Sequence, residues 1–190
     1  MRKLVVIVHV SLDGFVAGAN GGLPHFSAGE ECLEFVCRIT KEADALLLGR
    51  VSYELLNNYW YDRKDHPDAS WNEIVYSHWY GKTEKYVAST TMQPTPCATI
   101  LCEALEDNIR ELKAKPGKNI FVFGSPSLVQ TLFRSGLADA CWVFVNPVIF
   151  GKGISLFSGE ENVTQLRLVE SACFENGAVA LHYSFGGRLA

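Results

Sequence analysis

The sequence is 190 residues long, and its 48% hydrophobic and 20% charged residues are ordinary for a globular protein, which argues against a disordered chain or a coiled coil. Its 17 basic and 21 acidic residues give a net charge of −4 without any cluster of Lys or Arg, so neither nucleic acid nor a membrane is expected as a partner. A chain of this length is expected to form one domain that spans residues 1–190.

The first segment is predicted to be a buried strand rather than a signal peptide. Lys3 to Val10 is rich in β-branched residues, but its apolar run breaks at His9, and Asp13 follows closely. No run approaches the roughly 18 apolar residues of a membrane span. We therefore expect a cytoplasmic protein with reduced cysteines. The cysteines form no CxxC pair and the histidines no HExxH motif, so no metal site is expected.

Short strands and helices then alternate along the chain. Phe15 to Gly18 is predicted to be a short strand. Ala28 to Ala43 is predicted to be a helix, because its apolar residues recur with helical spacing at Cys32, Val36, Ile39 and Ala43. Ala45 to Leu48 is typical of a strand buried on both faces, and a helix is predicted from Arg50 to Asn58.

An aromatic-rich segment follows, from Tyr59 to Tyr80. Trp71, Val75 and Trp79 recur four residues apart, which predicts a short amphipathic helix. We interpret this stripe first as core or subunit contact. Alternatively, it could cover a flat aromatic substrate.

The second half of the chain continues the alternation and ends in a hairpin. Further strands are predicted at Lys85–Ser89, Thr99–Cys102, Asn119–Phe123 and Ala138–Asn146, and further helices at Glu103–Lys115 and Ser127–Ser135. The last two strands, Leu166 to Phe174 and Ala178 to Phe185, are joined through Asn176-Gly177, a pair that tolerates positive φ. The whole pattern predicts an α/β fold with three layers, in which helices flank a mostly parallel mixed sheet with a C-terminal antiparallel hairpin.

The junction after the third predicted strand is one candidate ligand site, because open α/β sheets bind ligands beyond the carboxyl ends of their strands. Gly49 would let the backbone approach a ligand, and the following helix would offer free N–H groups to a phosphate. Arg50 would add a cation and Ser52 a hydroxyl. A simple glycine turn beside a surface arginine explains the pattern equally well.

A similar junction occurs at Gly124. Ser125 is a natural N-cap, and Pro126 stands at the first helical position, where its missing N–H costs nothing. These residues would start a helix with or without a ligand. Two such junctions nevertheless suit a ligand with several phosphates, although neither is a GxGxxG motif nor a P-loop.

Two acids stand near the start of the first predicted helix. Ser27 and Glu30 are predicted to form a capping box, in which each side chain satisfies a backbone N–H of the first turn. Glu31 has no such structural task. Its carboxylate could bind an amino-heterocycle or relay a proton, whereas the simpler interpretation is a solvated acid favoured by the helix dipole.

Segments distributed over nearly the whole chain carry a family resemblance. They are Ser11–Gly18, Gly49–Glu54, Lys85–Thr91, Val122–Gly124, Gly136–Asp139, Asn146–Gly153 and Leu156–Phe157. In the order and spacing of these segments, the chain resembles the dihydrofolate-reductase-like superfamily. The resemblance is greatest to the stand-alone relatives of the RibD C-terminal reductase domain of bacterial riboflavin biosynthesis. The resemblance implies a dihydrofolate-reductase-type sandwich, a homodimer, and hydride transfer from NADPH to a small pterin- or pyrimidine-like heterocycle or a carbonyl compound. The nearest activity would be that of a phosphoribosylaminouracil reductase.

The resemblance also implies where NADPH would bind. The residues are Gly49, Arg50, Ser52, Gly124, Ser125 and Ser127 at the phosphates, Ser89 and Thr90 at the adenosine ribose and its extra phosphate, and Ala17 and Gly18 at the nicotinamide. Glu31 and Asp13 are the candidate catalytic residues. Glu31 falls where dihydrofolate reductases carry a substrate-binding acid, four residues before the helix phenylalanine matched by Phe35.

Three positions depart from the family pattern. Ser125 replaces a second glycine, and its hydroxyl could either crowd or bind a cofactor phosphate. Thr90 stands where arginine is frequent, and Ala140 where an acid often follows Asp139. Ser125 and Thr90 motivate an alternative function, a non-enzymatic nucleotide- or ligand-binding protein on the same fold.

Overall fold

The apolar runs of the sequence form the strands of one central sheet. The computed structural model describes residues 1–21, 26, 29–158 and 163–186. Its strands are β1 Leu4–Ser11, β2 Phe15–Gly18, β3 Ala43–Gly49, β4 Glu84–Ala88, β5 Thr99–Leu101, β6 Asn119–Val122, β7 Ala140–Asn146, β8 Gly153–Ser155, β9 Leu166–Cys173 and β10 Val179–Phe185. Its α-helices are α1 Glu30–Thr40, α2 Arg50–Trp60, α3 Trp71–Lys82, α4 Leu105–Ala114 and α5 Pro126–Arg134.

The central sheet has eight strands in the order β5-β4-β3-β6-β1-β7-β10-β9. The strands from β5 to β7 pair in parallel, whereas β10 runs antiparallel to both of its neighbours. Strands β2 and β8 form a separate antiparallel pair. The carboxyl ends of six parallel strands therefore share one edge of the sheet, which is where ligands bind in such folds.

Helices cover both faces of this sheet. Helices α1, α2 and α3 pack on one face over Val5, Ile7, Leu46 and Phe144, and helices α4 and α5 pack on the other face over Val6. The predicted three-layer α/β architecture with a mostly parallel sheet is confirmed. Within the described residues, no helix is both long and apolar enough to cross a membrane.

The start of α1 differs from the prediction. The helix begins at Glu30 with Gly29 as its N-cap, so Glu30 cannot hold the third helical position that a capping box requires. Ser27 lies outside the described residues. The Glu30 carboxylate instead accepts hydrogen bonds from Ser70 Oγ (3.0 Å) and Asn72 Nδ2 (2.7 Å), which ties α1 to the start of α3. The predicted capping box is therefore wrong for Glu30.

The ends of α1 and α3 correct two further predictions. Helix α1 stops at Thr40, and Ala43, the last residue of its predicted stripe, is already the first residue of β3. Helix α3 forms as predicted, but Trp71 is 75% exposed and its buried face consists of Tyr76, Ser77 and Tyr80. Trp71 therefore lies outside the core, so the core interpretation of the stripe is wrong at this position, whereas a subunit contact or a substrate cover stays a prediction.

The C-terminal hairpin forms as predicted, although only its glycine uses the left-handed region. Gly177 has φ of +82°, and its N–H donates to the carbonyl of Phe174 at 2.9 Å. Among the described non-glycine residues only Ala104 has a positive φ, so Asn176 does not. The turn places Glu175 at the end of the molecule where α1 begins.

Candidate functional site

The two predicted strand-to-helix junctions lie in direct contact. Strands β3 and β6 are parallel neighbours, and the N–H of Gly49 donates to the carbonyl of Gly124 at 3.0 Å. A Cβ atom on Gly49 would lie 2.5 Å from Ser125 Oγ, and one on Gly124 would lie 3.0 Å from Ser52 Oγ. Close packing against Ser125 therefore requires glycine at position 49, and the left-handed φ of +76° favours glycine at position 124. We call Gly49, Ser52, Gly124 and Ser125 the glycine junction.

The helices that begin at the glycine junction are electrostatically unlike the others. Gly49 and Ser125 are the N-caps of α2 and α5, and neither caps its helix with a side-chain hydrogen bond. Within these two fully described helices the first turn carries no acid, whereas α1, α3 and α4 each have one or two. Two helix starts without acids leave partial positive charge in one place, which suits an anionic ligand.

The predicted cation of the site is engaged by a neighbour. Arg50 is exposed, and its Nη1 donates to both carboxylate oxygens of Glu54 at 3.0 Å. Ser127 is also exposed, with its Oγ 3.1 Å from Ser125 Oγ, so two hydroxyls stand together at the start of α5. Both Arg50 and Ser127 thus flank the glycine junction.

Ser89 and Thr90 lie at the same sheet edge, after the neighbouring strand β4. Ala88 pairs with Gly49, which places Ser89 one residue beyond the junction. The Ser89 hydroxyl accepts hydrogen bonds from the N–H groups of Thr91 (3.2 Å) and Met92 (3.0 Å), so it shapes the turn, whereas Thr90 is exposed. No hydrogen bond among the described residues joins these two side chains to the glycine junction.

Ala17 and Gly18 are held in the small sheet that follows β1. They pair with Ile154 and Gly153, and a Cβ atom on Gly153 would overlap the carbonyl oxygen of Ala17. Ala17 is buried. The three-residue strand β8 was not predicted from the sequence, because its pairing with β2 spans a long separation along the chain.

Asp13 joins the β1–β2 turn to the loop after β7. Its carboxylate accepts hydrogen bonds from the N–H groups of Phe150 (3.1 Å) and Gly151 (2.8 Å). A hydrogen bond from the Ser11 side chain, followed by these backbone bonds, lowers the pKa of Asp13. The ionised carboxylate is therefore the form that this position favours.

Glu31 has a structural contact that the sequence did not indicate. Its Oε2 accepts a hydrogen bond of 2.8 Å from the backbone N–H of Glu175 in the C-terminal hairpin. The expectation that Glu31 lacks a structural task is therefore wrong. The side chain remains exposed, one turn before Phe35 on α1.

Next to these elements lies a group of rings that the motif analysis did not select. The His9 ring, near the end of β1, stacks on Phe144 of β7 with centroids 4.8 Å apart, and lies 6.1 Å from Phe26. Phe26 in turn stacks on Phe150 at 5.3 Å. We call His9, Phe26, Phe144 and Phe150 the aromatic cluster. The signal for it was a histidine that interrupts the apolar run of β1.

Burial keeps the imidazole of this cluster uncharged. It lowers the pKa of His9 from 6.5 to about 4, only partly opposed by a contact with Asn146. Phe35 of α1 packs edge-on against Phe144, with centroids 6.0 Å apart, so the cluster continues into the core beneath α1. Phe144 is fully buried, so a ligand can meet only the half-buried rings of His9, Phe26 and Phe150, and such neutral rings suit stacking by a heterocycle.

Comparison with known proteins identifies the family of this chain. A family model described as the RibD C-terminal domain matches residues 2–180. Uncharacterized protein YyaP of Bacillus subtilis (strain 168) is 30% identical over 195 residues, which cover 98% of this chain and 96% of that protein.

Solved structures show the same fold at lower identity. A putative riboflavin biosynthesis protein from Shewanella sp. PV-4 has a TM-score of 0.70 at 20% identity, covering 98% of this chain and 100% of that one. Dihydrofolate reductase from Enterococcus faecalis, solved with NADP(H) and RAB-propyl, has a TM-score of 0.64 at 14% identity and covers 97% of both chains. The fold is therefore of the dihydrofolate reductase type. Since the family model extends over nearly the entire sequence, the chain belongs to the RibD C-terminal domain family.

Proposed function

We propose that this protein is an NADPH-dependent reductase that transfers hydride to a small pterin- or pyrimidine-like heterocycle or a carbonyl compound. The observation that carries the proposal is the contact between two helix starts without acids, at Gly49 and Gly124, on the sheet edge that also holds the aromatic cluster. A charged ligand and a flat ring would then meet at one edge, as hydride transfer requires.

The residues at this edge fit the chemistry of a dinucleotide. The glycine junction has main-chain N–H groups and hydroxyls at two helix starts whose first turns carry no acid, and both of its glycines lack the Cβ atom that would close it. Its members would bind the pyrophosphate together with Arg50 and Ser127. Ser89 and Thr90 would lie at the adenosine ribose and its extra phosphate, and Ala17 and Gly18 at the nicotinamide. When bound, NADPH supplies the hydride.

On the substrate side, the aromatic cluster would hold the acceptor ring and exclude water from it. Glu31, or a water molecule that it orders, would supply the proton, and its bond from Glu175 would fix the carboxylate in place. Asp13, whose pKa is lowered, would act by fixing the loop of Phe150 rather than by donating a proton at neutral pH.

The homodimer is supported by the exposed end of the sheet. Strand β9 pairs only with β10 among the described strands, and Leu166, Leu168 and Val169 on it are 38%, 51% and 52% exposed. A long apolar edge strand is a common site of association. Sedimentation equilibrium should show a dimer for the natural protein and a monomer for Leu168→Lys. A monomeric natural protein would contradict this part of the proposal.

The reductase proposal is tested by binding and turnover together. Titration with NADPH should produce energy transfer from the tryptophans Trp60, Trp71, Trp79 and Trp142, and a panel of pterins, pyrimidines and carbonyl compounds should include one that consumes NADPH. Absence of binding at millimolar NADPH would contradict the cofactor assignment. Binding without reduction of any compound would favour the alternative, a non-enzymatic ligand-binding protein.

A further inference from the structure

We infer that His9 selects the substrate by hydrogen bonding, offering its Nε2–H to a ring that carries a carbonyl and disfavouring a ring that carries an amino group at the same position. The inference rests on the proposed function, because it assumes that the acceptor ring binds at the aromatic cluster. It adds a residue and a rule of selectivity that the fold alone does not provide.

The position of His9 places it between the core and the ligand edge. It lies opposite Phe144 in the parallel register of β1 and β7, two residues before the end of β1. Val5 and Ile7, on the same face of β1, belong to the core beneath α1, α2 and α3. His9 is therefore where this apolar face ends and where the first polar side chain of β1 can meet a ligand.

The contacts of Asn146 determine which nitrogen of His9 carries the proton. The Asn146 Nδ2 atom lies 3.1 Å from the carbonyl oxygen of Val10, 3.0 Å from that of Phe144 and 3.4 Å from His9 Nδ1. The two carbonyls fix the amide orientation, because the reverse orientation would set Oδ1 against two other oxygens. Nδ2 has no lone pair to accept a hydrogen bond, so its 3.4 Å contact with His9 Nδ1 is a hydrogen bond only when Nδ1 carries the lone pair.

The proton of the neutral imidazole is consequently on Nε2, which becomes a donor. No hydrogen bond to this atom occurs within the described residues, and His9 has no described ion pair. Burial lowers the pKa of His9, which supports a neutral ring. The ring thus presents one donor and no acceptor to a ligand that stacks beside it.

A single donor in a mostly apolar site discriminates between ring substituents. A carbonyl oxygen accepts the Nε2–H, whereas an amino group in its place leaves two donors facing each other without a partner. A site that hydrogen-bonds its substrate rejects an analogue lacking the hydrogen-bonding group much more strongly than an apolar pocket rejects an analogue of different size. Protein contacts of this type predict a preference of about tenfold or more for the carbonyl ring.

The experiment compares lumazine, a pteridine with two ring carbonyls, with diaminopteridine, in which amino groups replace both. Binding of each is measured by calorimetry with NADPH present, for the natural protein, for His9→Phe, and for His182→Phe. Phenylalanine at position 9 keeps the stack on Phe144 and leaves Asn146 its two carbonyls, but it removes the donor. His182 is a matched control, because it too is half-buried and stacked, on Trp142 at 4.5 Å.

We expect the natural protein and His182→Phe to prefer lumazine by about tenfold or more, and His9→Phe to lose most of this preference. Equal affinity for the two pteridines in the natural protein, an unchanged preference in His9→Phe, or no binding of either overturns the inference. NADPH binding and turnover are measured separately from pteridine binding. Selectivity between the pteridines without any binding of NADPH would overturn the reductase proposal but not the inference about His9.

A direct measurement covers the case in which His9→Phe does not fold. In the ¹⁵N-labelled natural protein, the imidazole of His9 should show a protonated Nε2 and an unprotonated Nδ1 at neutral pH. The opposite tautomer, or a charged ring, would overturn the inference whatever the variant does.

Discussion

The glycine junction and the aromatic cluster occupy one edge of the same sheet, but the first is polar and the second is mostly aromatic. At the junction, β3 and β6 end in glycines, serine hydroxyls and helix starts without acids. In the cluster, β1 and β7 present rings and a histidine that burial keeps neutral. The first arrangement binds charge with backbone dipoles, and the second binds a flat ring by stacking and one directional donor.

This difference teaches how the fold can separate affinity from selectivity. Main-chain N–H groups at helix starts bind a phosphate whatever is attached to it, because they recognise charge. A neutral histidine contributes little charge and instead distinguishes one ring substituent from another. The two regions lie on neighbouring strands, because β6 of the junction pairs with β1 of the cluster. Since they recognise different features of a ligand, substitutions in one region should leave the property of the other intact.

The largest expected effect is a loss of the free energy of unfolding at acidic pH, caused by His9 of the aromatic cluster. The pKa of His9 is about 4 in the folded protein and 6.5 when the ring is solvated, so the unfolded chain binds the proton more readily. Stability is full above pH 6.5 and falls as the pH drops toward 4, by up to about 3 kcal/mol. Urea unfolding between these values should show this slope, and His9→Phe should remove most of it.

The comparison with the variant is needed because other groups titrate as well. Burial also lowers the pKa of His182, which contributes a slope of the same sign in both proteins. Glu73, with its pKa lowered to about 2 chiefly by Arg63, loses its contribution below pH 4.5, so it overlaps this window only at its acidic end and contributes equally in both proteins. Equal slopes in the natural protein and His9→Phe would show that His9 is not held neutral by the fold.

At the glycine junction, Gly49→Ala should be the most damaging substitution. Its Cβ atom would lie 2.5 Å from Ser125 Oγ and 3.1 Å from the Ser125 backbone nitrogen. We expect the free energy of unfolding to fall by about 2 kcal/mol and NADPH affinity to fall at least about tenfold, because the two helix starts are forced apart. Urea unfolding and fluorescence titration measure the two effects.

The matched control is Gly81→Ala on α3, where an added Cβ atom meets nothing within 4 Å. This substitution should raise the free energy of unfolding by less than about 1 kcal/mol and leave NADPH affinity unchanged. If Gly49→Ala behaved like its control, close packing would not explain glycine at position 49.

The sequence predicted each half of the glycine junction but not the contact between the halves. Ser125 as N-cap and Pro126 at the helix start follow from local backbone chemistry, and the structure confirms both. That Gly49 touches Gly124 depends on β3 and β6 being neighbours, although three helices and two strands separate them along the chain. Such strand order is set by packing of the whole sheet, which local patterns do not encode.

The aromatic cluster was harder to predict, for a different reason. His9 acquires its properties from Phe144 and Asn146, which only the β1–β7 register brings next to it. Trp71 shows the converse, since helical spacing placed it on a stripe that core packing would explain, whereas the structure leaves it outside the core. Periodicity identifies which residues share a face of an element, but not whether that face is covered.

The next smaller effect concerns Ser125, whose hydroxyl either binds or crowds a phosphate. It lies 3.1 Å from Ser127 Oγ, so both hydroxyls can turn toward an anion at the start of α5. We expect Ser125→Ala to weaken NADPH binding by about tenfold, the value of one hydrogen bond to a charged group. The control is Ser135→Ala at the other end of α5, which should have no effect on binding. Tighter binding by Ser125→Ala would show instead that the hydroxyl crowds the site.

The smallest effect concerns the exposed cation beside the junction. Glu54 holds Arg50 through two contacts of 3.0 Å, so Glu54→Gln should release the guanidinium and raise NADPH affinity by about two- to threefold, more at low salt than at high salt. Glu106→Gln is a close control, because Glu106 forms the same kind of exposed pair with Arg110 on α4 at 3.0 Å. It should change neither the affinity nor its dependence on salt. Equal responses of the two variants would mean that only the overall charge of the protein matters. A gain in NADPH affinity confined to Glu54→Gln would support Arg50 as a ligand of the phosphates. The pteridine preference of His9 should be the same in both variants.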